Sequence, residues 1–217
     1  MKKNSLHYLV RSPVIKTEKP PLLLLLHGYG SNEEDLFSFA EELPEELLII
    51  SAQAPLAMDY GSYAWYTIHF TSDASKFSDI PEAKKSLEII DTFLEEICEK
   101  YQADRNRIFL LGFSQGAILS MAYALNNPDK VPYILALSGY LNTQLIREDL
   151  DLAAIKKLDF FVSHGAVDQV IPVEWARKTP DILNSLRIPN AYKEYPVGHG
   201  VAPQNFYDLK SWIEKRL

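Results

Sequence analysis

The sequence holds a single cysteine, fewer basic than acidic residues and no long apolar run, and each of these features excludes a class of protein. Cys98 alone can form neither an intrachain disulfide nor a thiolate cluster, and its helical spacing from Ile90 and Leu94 predicts a buried core thiol. Lys and Arg number 22 against 29 Asp and Glu, and the net charge of −7 repels phosphate backbones, so we expect no nucleic-acid partner. The run LLLLL at 22–26 is far too short to span a bilayer, so we expect no stable membrane insertion.

Length and hydrophobicity favour one domain. The 217 residues, 47% of them hydrophobic, suffice for one sizeable core but hardly for two, so we predict a single domain over residues 1–217. The N-terminal segment is broken by His7 and Arg11 and does not resemble a secretory signal. Together with the lone cysteine, this favours a cytoplasmic location.

Short apolar runs alternate along the chain with segments of helical period. The predicted strands are 6–11, 21–27, 46–51, 107–112, 132–138, 158–164 and 191–195. Helices are predicted over 82–101 and 203–216, and Ser31 with Glu34 indicates a capping box that opens a helix near 32–42. This alternation predicts an α/β fold with a mainly parallel central sheet and helices on both faces.

The segment 52–80 is unusually long for a connection and rich in aromatic residues, and connections of this length are usually functional or mobile. Its aromatic residues are Tyr60, Tyr63, Trp65, Tyr66, Phe70 and Phe77. With 138–150, it is predicted to lie over the sheet edge and to form an acyl pocket with a minimal lid. A dimer interface, and hence a homodimer, or ordinary core are the alternatives for these residues.

Ser114 stands between Gly112 and Gly116, after a strand-like run and before a helix of small and apolar residues. A serine at such a junction adopts a strained backbone, which the glycines permit, and its hydroxyl is lifted above the sheet edge beside a helix N-terminus. We therefore predict that Ser114 is a nucleophile. The alternative is a strand-to-helix turn whose serine only caps the helix.

A serine nucleophile needs a histidine base, and three of the five histidines, His27, His164 and His199, occur in His-Gly pairs after predicted strands. In folds with this strand–serine–helix turn, called the nucleophile elbow, the chain order is serine, acid, histidine, which excludes His27 as the base. His164 would need an acid between Ser114 and itself. The acids there lie in segments that read as helix, helix-flanking turn or strand start, not in a loop at the C-terminal end of a strand, so His164 is set aside as the base. His199, in a short loop after the last strand, is the predicted base.

The acid that orients the base is predicted to be Asp168, which lies in a loop after the strand preceding the last one. Each of Ser114, Asp168 and His199 then comes from the C-terminal end of a strand, where such folds place their sites. Asp181 and Asp208 are the reserve acids, and they rank below Asp168 because both read as helical.

Acyl transfer also needs hydrogen-bond donors for an oxyanion. One is the backbone N–H of Gln115, which follows the nucleophile. The other is expected from the glycine-rich turn LHGYG, with the N–H of Tyr29 as the candidate and that of Gly28 as the fallback, while the Tyr29 side chain is expected to line the pocket. That HGYG is only a tight turn is the alternative. No metal-ligand spacing is present among the histidines, and we expect neither metal nor cofactor.

The residues singled out above fit the pattern of a known family. They stand in the motifs LHGYGSNEEDL, AWY, GFSQGA, HGAVDQVIP and GHG. In this order they resemble the phospholipase/carboxylesterase family of small α/β-hydrolases, which includes acyl-protein thioesterases and bacterial carboxylesterases. SNEED is closer to the bacterial carboxylesterase branch, and the resemblance covers nearly the whole chain.

The resemblance implies the α/β-hydrolase fold, the triad Ser114, Asp168 and His199, oxyanion donors at Tyr29 and Gln115, and Trp65 near the acyl site. The expected activity is a serine esterase acting on small-molecule esters of small or short-to-medium acyl groups. Acyl-protein thioesterase or lysophospholipase activity at the same site is the alternative. A non-catalytic binding module on a hydrolase scaffold is the remote one.

Overall fold

The computed structural model describes residues 5–70 and 76–217. Residues 1–4 and 71–75 lie outside the described residues, so part of the predicted 52–80 segment does too. The side chains of Phe70 and Phe77, two of its aromatic residues, are likewise outside the description.

A central sheet of seven strands organises this described part of the chain. In chain order the strands are β1 (Tyr8–Arg11), β2 (Leu22–Leu26), β3 (Leu48–Ala52), β4 (Leu56–Ala57), β5 (Tyr63–Ala64), β6 (Ile68–Phe70), β7 (Lys76–Ser78), β8 (Ile108–Phe113), β9 (Tyr133–Leu137), β10 (Asp159–Gly165) and β11 (Asn190–Tyr195). The central sheet has the order β1-β3-β2-β8-β9-β10-β11, and all its pairs are parallel except β1 with β3. Each of its strands lies within two residues of a predicted strand at either end.

Helices fill most of the connections between the parallel strands. They are α1 (Glu34–Phe37), α2 (Ile80–Tyr101), α3 (Gln115–Asn126), α4 (Val173–Ala176), α5 (Lys178–Ser185) and α6 (Pro203–Glu214), with short 3₁₀ turns at Ala40–Glu42, Asp59–Gly61, Thr143–Leu145 and Ala154–Lys157. The predictions for 82–101 and 203–216 correspond to α2 and α6. No helix in the described residues is long and apolar enough to cross a membrane.

The core lies on both faces of the sheet, because successive residues of a strand point to opposite sides. In β2, Leu22, Leu24 and Leu26 join the cluster that contains α2 and part of α3. Leu23 and Leu25 join the cluster on the other face, which contains residues of α1 and α6. All five leucines are fully buried, which explains why β2 is a continuous apolar run instead of an alternating one.

The predicted capping box at Ser31 and Glu34 is wrong. The helix there is short, and the hydroxyl of Ser31 donates to the Asp35 carboxylate at 2.8 Å. The N–H of Glu34 is instead bound by the Asn32 side chain at 2.9 Å, since Asn is as good a local acceptor as Ser. The segment 32–42 breaks into α1 and a 3₁₀ turn.

The aromatic segment 52–80 contains two small antiparallel pairs, β4 with β5 and β6 with β7. Trp65 and Tyr66 are buried in the main core, whereas Tyr60 is fully exposed. Ordinary core is therefore the outcome for the two buried residues. Cys98 is also buried in this core, and burial raises the pKa of its thiol to about 11.

Candidate active site

Ser114 lies in the sharp turn between β8 and α3, with φ 53° and ψ −112°. A side chain at Gly112 would place its Cβ 2.3 Å from the backbone of Gly116. At Gly116 the Cβ would lie 2.1 Å from the carbonyl oxygen of Leu26, at the end of β2. The two glycines therefore allow the turn to be this tight, as the sequence pattern indicated.

The three residues predicted as a triad are in contact. His199 Nε2 lies 2.9 Å from Ser114 Oγ, and His199 Nδ1 lies 2.7 Å from Asp168 Oδ2. Each residue follows the C-terminal end of a parallel strand, Ser114 after β8, Asp168 after β10 and His199 after β11. Residues far apart in sequence thus meet at one edge of the sheet.

The carboxylate of Asp168 is buried and has donors on both oxygens. Its Oδ1 accepts the backbone N–H of Val170 at 2.8 Å and of Ile171 at 3.0 Å. Burial disfavours the charged form, but hydrogen bonds from His199 and from these two amides outweigh it, so the pKa of Asp168 lies below its ordinary value. The carboxylate is therefore ionised at neutral pH and accepts the Nδ1 hydrogen of His199.

This contact selects the useful tautomer of His199. With hydrogen on Nδ1, the lone pair of Nε2 faces the Ser114 hydroxyl and can take its proton. His199 and Ser114 keep a small exposed fraction, about 18% of the histidine side chain and 8% of the serine, whereas the Asp168 side chain has none.

His164, which sequence reasoning set aside as a base, is a second histidine at Asp168. Its Nε2 lies 3.2 Å from Asp168 Oδ2 and 2.9 Å from the carbonyl oxygen of Ile171. Because a carbonyl only accepts, Nε2 carries the hydrogen and His164 donates toward the carboxylate. The spacing of four residues between His164 and Asp168 was the available signal, but nothing in it distinguished a partner of the acid from a core histidine.

The reserve acids lie in other environments. Asp181 is exposed in the first turn of α5. Asp208 lies on α6, where its carboxylate accepts from the Tyr195 hydroxyl at 2.7 Å and from Lys193 at 2.9 Å. Asp168 is the acid in contact with His199.

The loop after β2 lies directly beside the serine. A Cβ added to Gly28 would be 3.4 Å from Ser114 Cβ and 3.1 Å from the ring of Phe113. The same ring lies 5.0 Å from that of His199, measured between centroids. The backbone of the HGYG turn therefore lies beside Ser114 at Gly28.

The amides of this turn differ in whether they have partners. Gly30 N–H donates to the Tyr63 carbonyl at 2.9 Å, and Ser31 N–H to that of Gly28 at 3.3 Å. Within the described residues, the N–H groups of Gly28 and Tyr29 have no hydrogen-bond acceptor. Gln115 is the first residue of α3, so its N–H has no acceptor inside the helix. The predicted donors are thus available, and their role stays a prediction.

Trp65, expected beside the acyl group, is fully buried and presents no surface next to Ser114 in this conformation. Its indole N–H donates to the His27 carbonyl at 3.0 Å, and its backbone N–H donates to the Gln115 side chain at 2.8 Å. Trp65 thus holds the turn after β2 in place. Burial suits this side chain, because its large ring adds apolar contact area to the core and its N–H has an acceptor there.

The two segments expected to form pocket and lid meet at one groove. Gly139, at the start of 138–150, packs against the backbone of Ser114, 3.1 Å from the serine carbonyl oxygen to a Cβ placed on the glycine. The next residue, Tyr140, packs edge-on against Trp175 with ring centroids 5.2 Å apart. Ser78, from the other segment, lines the same groove.

In the described part of the chain, no group of three or more His, Cys, Asp or Glu residues is arranged to hold a metal ion. The chemistry available at the site is that of the hydroxyl, the imidazole, the carboxylate and the backbone amides.

The chain is similar to known proteins over nearly its whole length. A family model described as Phospholipase/Carboxylesterase matches residues 10–217. Acyl-protein thioesterase 1 of Kluyveromyces lactis is 30% identical over 160 residues, which cover 71% of this chain and 69% of that protein. Acyl-protein thioesterase 1 of Mycosarcoma maydis is 26% identical over 229 residues, which cover 95% of each. A Bacillus cereus carboxylesterase structure is similar with a TM-score of 0.80 at 22% identity, over 98% of this chain and 95% of that one.

Proposed function

This chain belongs to the phospholipase/carboxylesterase family, and on that premise we propose that it is a serine hydrolase cleaving carboxylic esters of small or short-to-medium acyl groups. Its fold is the α/β-hydrolase fold, and the family supports hydrolysis of the esterase or thioesterase type. The observation that carries the proposal is the contact chain from Ser114 Oγ through His199 to Asp168, at 2.9 and 2.7 Å.

In the proposed mechanism, Ser114 Oγ attacks the ester carbonyl carbon while His199 Nε2 takes the serine proton. Asp168 fixes the imidazole and stabilises its charged form. The imidazolium then gives the proton to the departing alkoxide, which leaves as an alcohol, and an acyl-enzyme remains. Water repeats the attack with His199 as base, and the acid product and free Ser114 result.

The oxyanion formed in each half-reaction is proposed to receive hydrogen bonds from the backbone N–H groups of Gln115 and Tyr29, with Gly28 as the alternative to Tyr29. What supports this is the position of Gly28 and Gln115 beside Ser114, and the lack of acceptors for the N–H groups of Gly28 and Tyr29 in the described residues. The groove lined by Ser78, Tyr140 and Trp175 is the proposed acyl pocket, and what supports it is that Gly139, next to Tyr140, packs against the backbone of Ser114. Contact of the Tyr29 side chain with substrate, the minimal lid, a homodimer, a single domain and a cytoplasmic location also stay predictions.

A second candidate is thioester hydrolysis at the same site, because the two relatives from Kluyveromyces lactis and Mycosarcoma maydis are named acyl-protein thioesterases. An oxygen ester and a thioester are attacked by the same nucleophile and need the same oxyanion donors. Only the acyl and leaving groups differ, so substrate rates separate the two.

The test is kcat/KM for matched oxygen esters and thioesters from acetyl to palmitoyl, with Ser114→Ala as the background. We expect a preference for short-chain oxygen esters and a loss of about 10⁴-fold or more in the Ser114→Ala variant. A preference for long-chain thioesters would favour the second candidate. Turnover that survives Ser114→Ala would exclude both.

Covalent labelling separates an enzyme from a binding module on the same scaffold. A fluorophosphonate probe should form an adduct on Ser114 in the wild-type chain, because only an activated serine displaces fluoride at a useful rate. Labelling should be lost in Ser114→Ala and unaffected by Asp181→Asn, which changes an exposed acid on α5. No labelling of the folded wild type would support the binding module.

A further inference from the structure

His27 is fully buried at the end of β2, and both of its ring nitrogens are engaged. The backbone N–H of Ala54 donates to Nε2 at 3.0 Å, and Nδ1 lies 2.7 Å from the carbonyl oxygen of Gly28. Since Nε2 accepts a hydrogen bond, the ring hydrogen is on Nδ1, which donates to Gly28. Burial lowers the pKa of His27 more than the bond to Gly28 raises it, so the ring is neutral.

The carbonyl bound by His27 belongs to the same peptide unit as the Tyr29 N–H. A trans peptide is planar, and its C=O and N–H point in opposite directions. Holding the Gly28 oxygen toward the buried imidazole therefore aims the Tyr29 N–H the other way. Ser31 N–H also binds this oxygen, at 3.3 Å, but it belongs to the same turn and moves with it.

We propose that His27 is a positioning residue of the oxyanion hole, whose Nδ1–H fixes the Gly28–Tyr29 peptide so that the Tyr29 N–H meets the developing oxyanion. The inference rests on the proposed function, since it presumes that an oxyanion forms at Ser114. It gives a function to His27, which forms no hydrogen bond with Ser114 or His199.

Trp65 makes the corresponding contact one peptide earlier. Its indole N–H donates to the His27 carbonyl at 3.0 Å, and the N–H of that peptide unit belongs to Gly28. His27 thus holds the peptide unit that carries the Tyr29 N–H, and Trp65 holds the one that carries the Gly28 N–H. Substitutions of His27 and of Trp65 therefore distinguish the two candidate donors. If Tyr29 is the donor, changing His27 lowers kcat more than changing Trp65 to Phe.

Two substitutions of His27 separate its two hydrogen bonds. In His27→Asn the side-chain amide can take the place of Nδ1 and donate to Gly28, while the partner of Ala54 N–H is lost. In His27→Gln the longer side chain reaches the place of Nε2 and accepts from Ala54, while the donor to Gly28 is lost. Each variant loses one buried hydrogen bond, so their losses of thermal stability should be similar.

The readouts are kcat and KM for a short-chain ester, and the affinity of a boronic acid that forms a tetrahedral adduct on the serine. Loss of one oxyanion donor costs about 10²–10³ in kcat. We expect His27→Gln to lose about 10-fold or more in kcat and in boronic-acid affinity with KM within about threefold, because a misaimed donor keeps part of its effect. His27→Asn should stay within about threefold of wild type in all three.

Equal losses of kcat in the two folded variants, wild-type kcat in both, or a change confined to KM would each overturn the inference. These results leave the proposed function standing, because wild-type turnover would still depend on Ser114. Persistence of turnover in Ser114→Ala is the separate result that removes the proposed function itself.

A measurement on the unmodified protein covers the case in which the variants do not fold. Imidazole nitrogen NMR assigns the tautomer of each of the five histidines. We expect His27 to carry hydrogen on Nδ1 and none on Nε2. Hydrogen on Nε2 would mean that Nδ1 does not donate to Gly28, and the inference would be wrong.

Discussion

Replacing Asp168 by Asn tests the triad, because the side-chain amide of the Asn can take only one orientation and that orientation changes the tautomer of His199. Oδ1 of Asp168 accepts two backbone N–H groups, from Val170 at 2.8 Å and Ile171 at 3.0 Å, so the amide oxygen of the new side chain must stay there. The amide nitrogen then takes the position of Oδ2, which faces His199 Nδ1 at 2.7 Å. Two donors would meet, and His199 relieves this by moving its hydrogen to Nε2.

The consequence for catalysis is large because the hydrogen arrives where the lone pair is needed. With hydrogen on Nε2, His199 points a donor at Ser114 Oγ, 2.9 Å away, and cannot take the serine proton. Enforcing the wrong tautomer in a serine triad costs about 10⁴-fold in kcat, or about 5.5 kcal/mol in the activation free energy. The side chain keeps its size and its two amide contacts, but the new amide nitrogen also faces the Nε2 hydrogen of His164, 3.2 Å from Oδ2 in the wild type, so we expect some loss of stability as well.

The assay is kcat and KM for a short-chain ester, with circular dichroism and thermal unfolding as checks of the fold. Asp181→Asn is the matched control, since Asp181 is an exposed acid in α5 and the same chemical change there should leave kcat unaltered. A folded Asp168→Asn variant that keeps more than about a tenth of wild-type kcat would refute the tautomer argument.

Two further predictions concern stability. Gly116→Ala should lower the free energy of unfolding in urea by about 1–3 kcal/mol or more, because its Cβ would lie 2.1 Å from the Leu26 carbonyl oxygen. Gly200→Ala, where a Cβ meets nothing within 4 Å, should change it by less than about 0.5 kcal/mol, and equal effects would contradict this. Since the pKa of Asp168 lies below its ordinary value of 3.8, its ionised form adds stability above that pH, and this is lost as pH falls through the lower folded-state value. Unfolding free energies measured from about pH 6 to about pH 3 should therefore fall more steeply for wild type than for Asp168→Asn, and parallel curves would count against the assignment.

The local sequence pattern was sufficient to predict the strands of the central sheet and the tight turn at Ser114. The buried strands are continuous apolar runs because both faces of the sheet are covered, and this made the position of β2 and β8 readable. The glycines around Ser114 were informative because each is required by a backbone contact too close for any side chain. The capping box at Ser31 failed because several short polar side chains stand together there, and any of them could have capped the helix.

The aromatic segment shows where pattern alone was insufficient. Trp65 and Tyr66 are as aromatic as Tyr60, yet two lie in the core and one is fully exposed. Hydrophobic periodicity does not separate these cases in a segment of short strands and turns, because each strand is only two or three residues long. Their environments depend on α2 and α3, which follow later in the chain.

The sequence by itself predicted the strands of the central sheet, the strained serine turn, and the histidine and acid that contact each other after the last strands, because these depend on residue type and spacing within short segments. Only the tertiary structure decided what the other two His-Gly histidines contact. His164 came to lie against Asp168, and His27 against the Gly28 carbonyl. The physical reason is that a buried imidazole hydrogen-bonds to the groups within its reach, and which groups these are depends on the packing of segments distant in sequence.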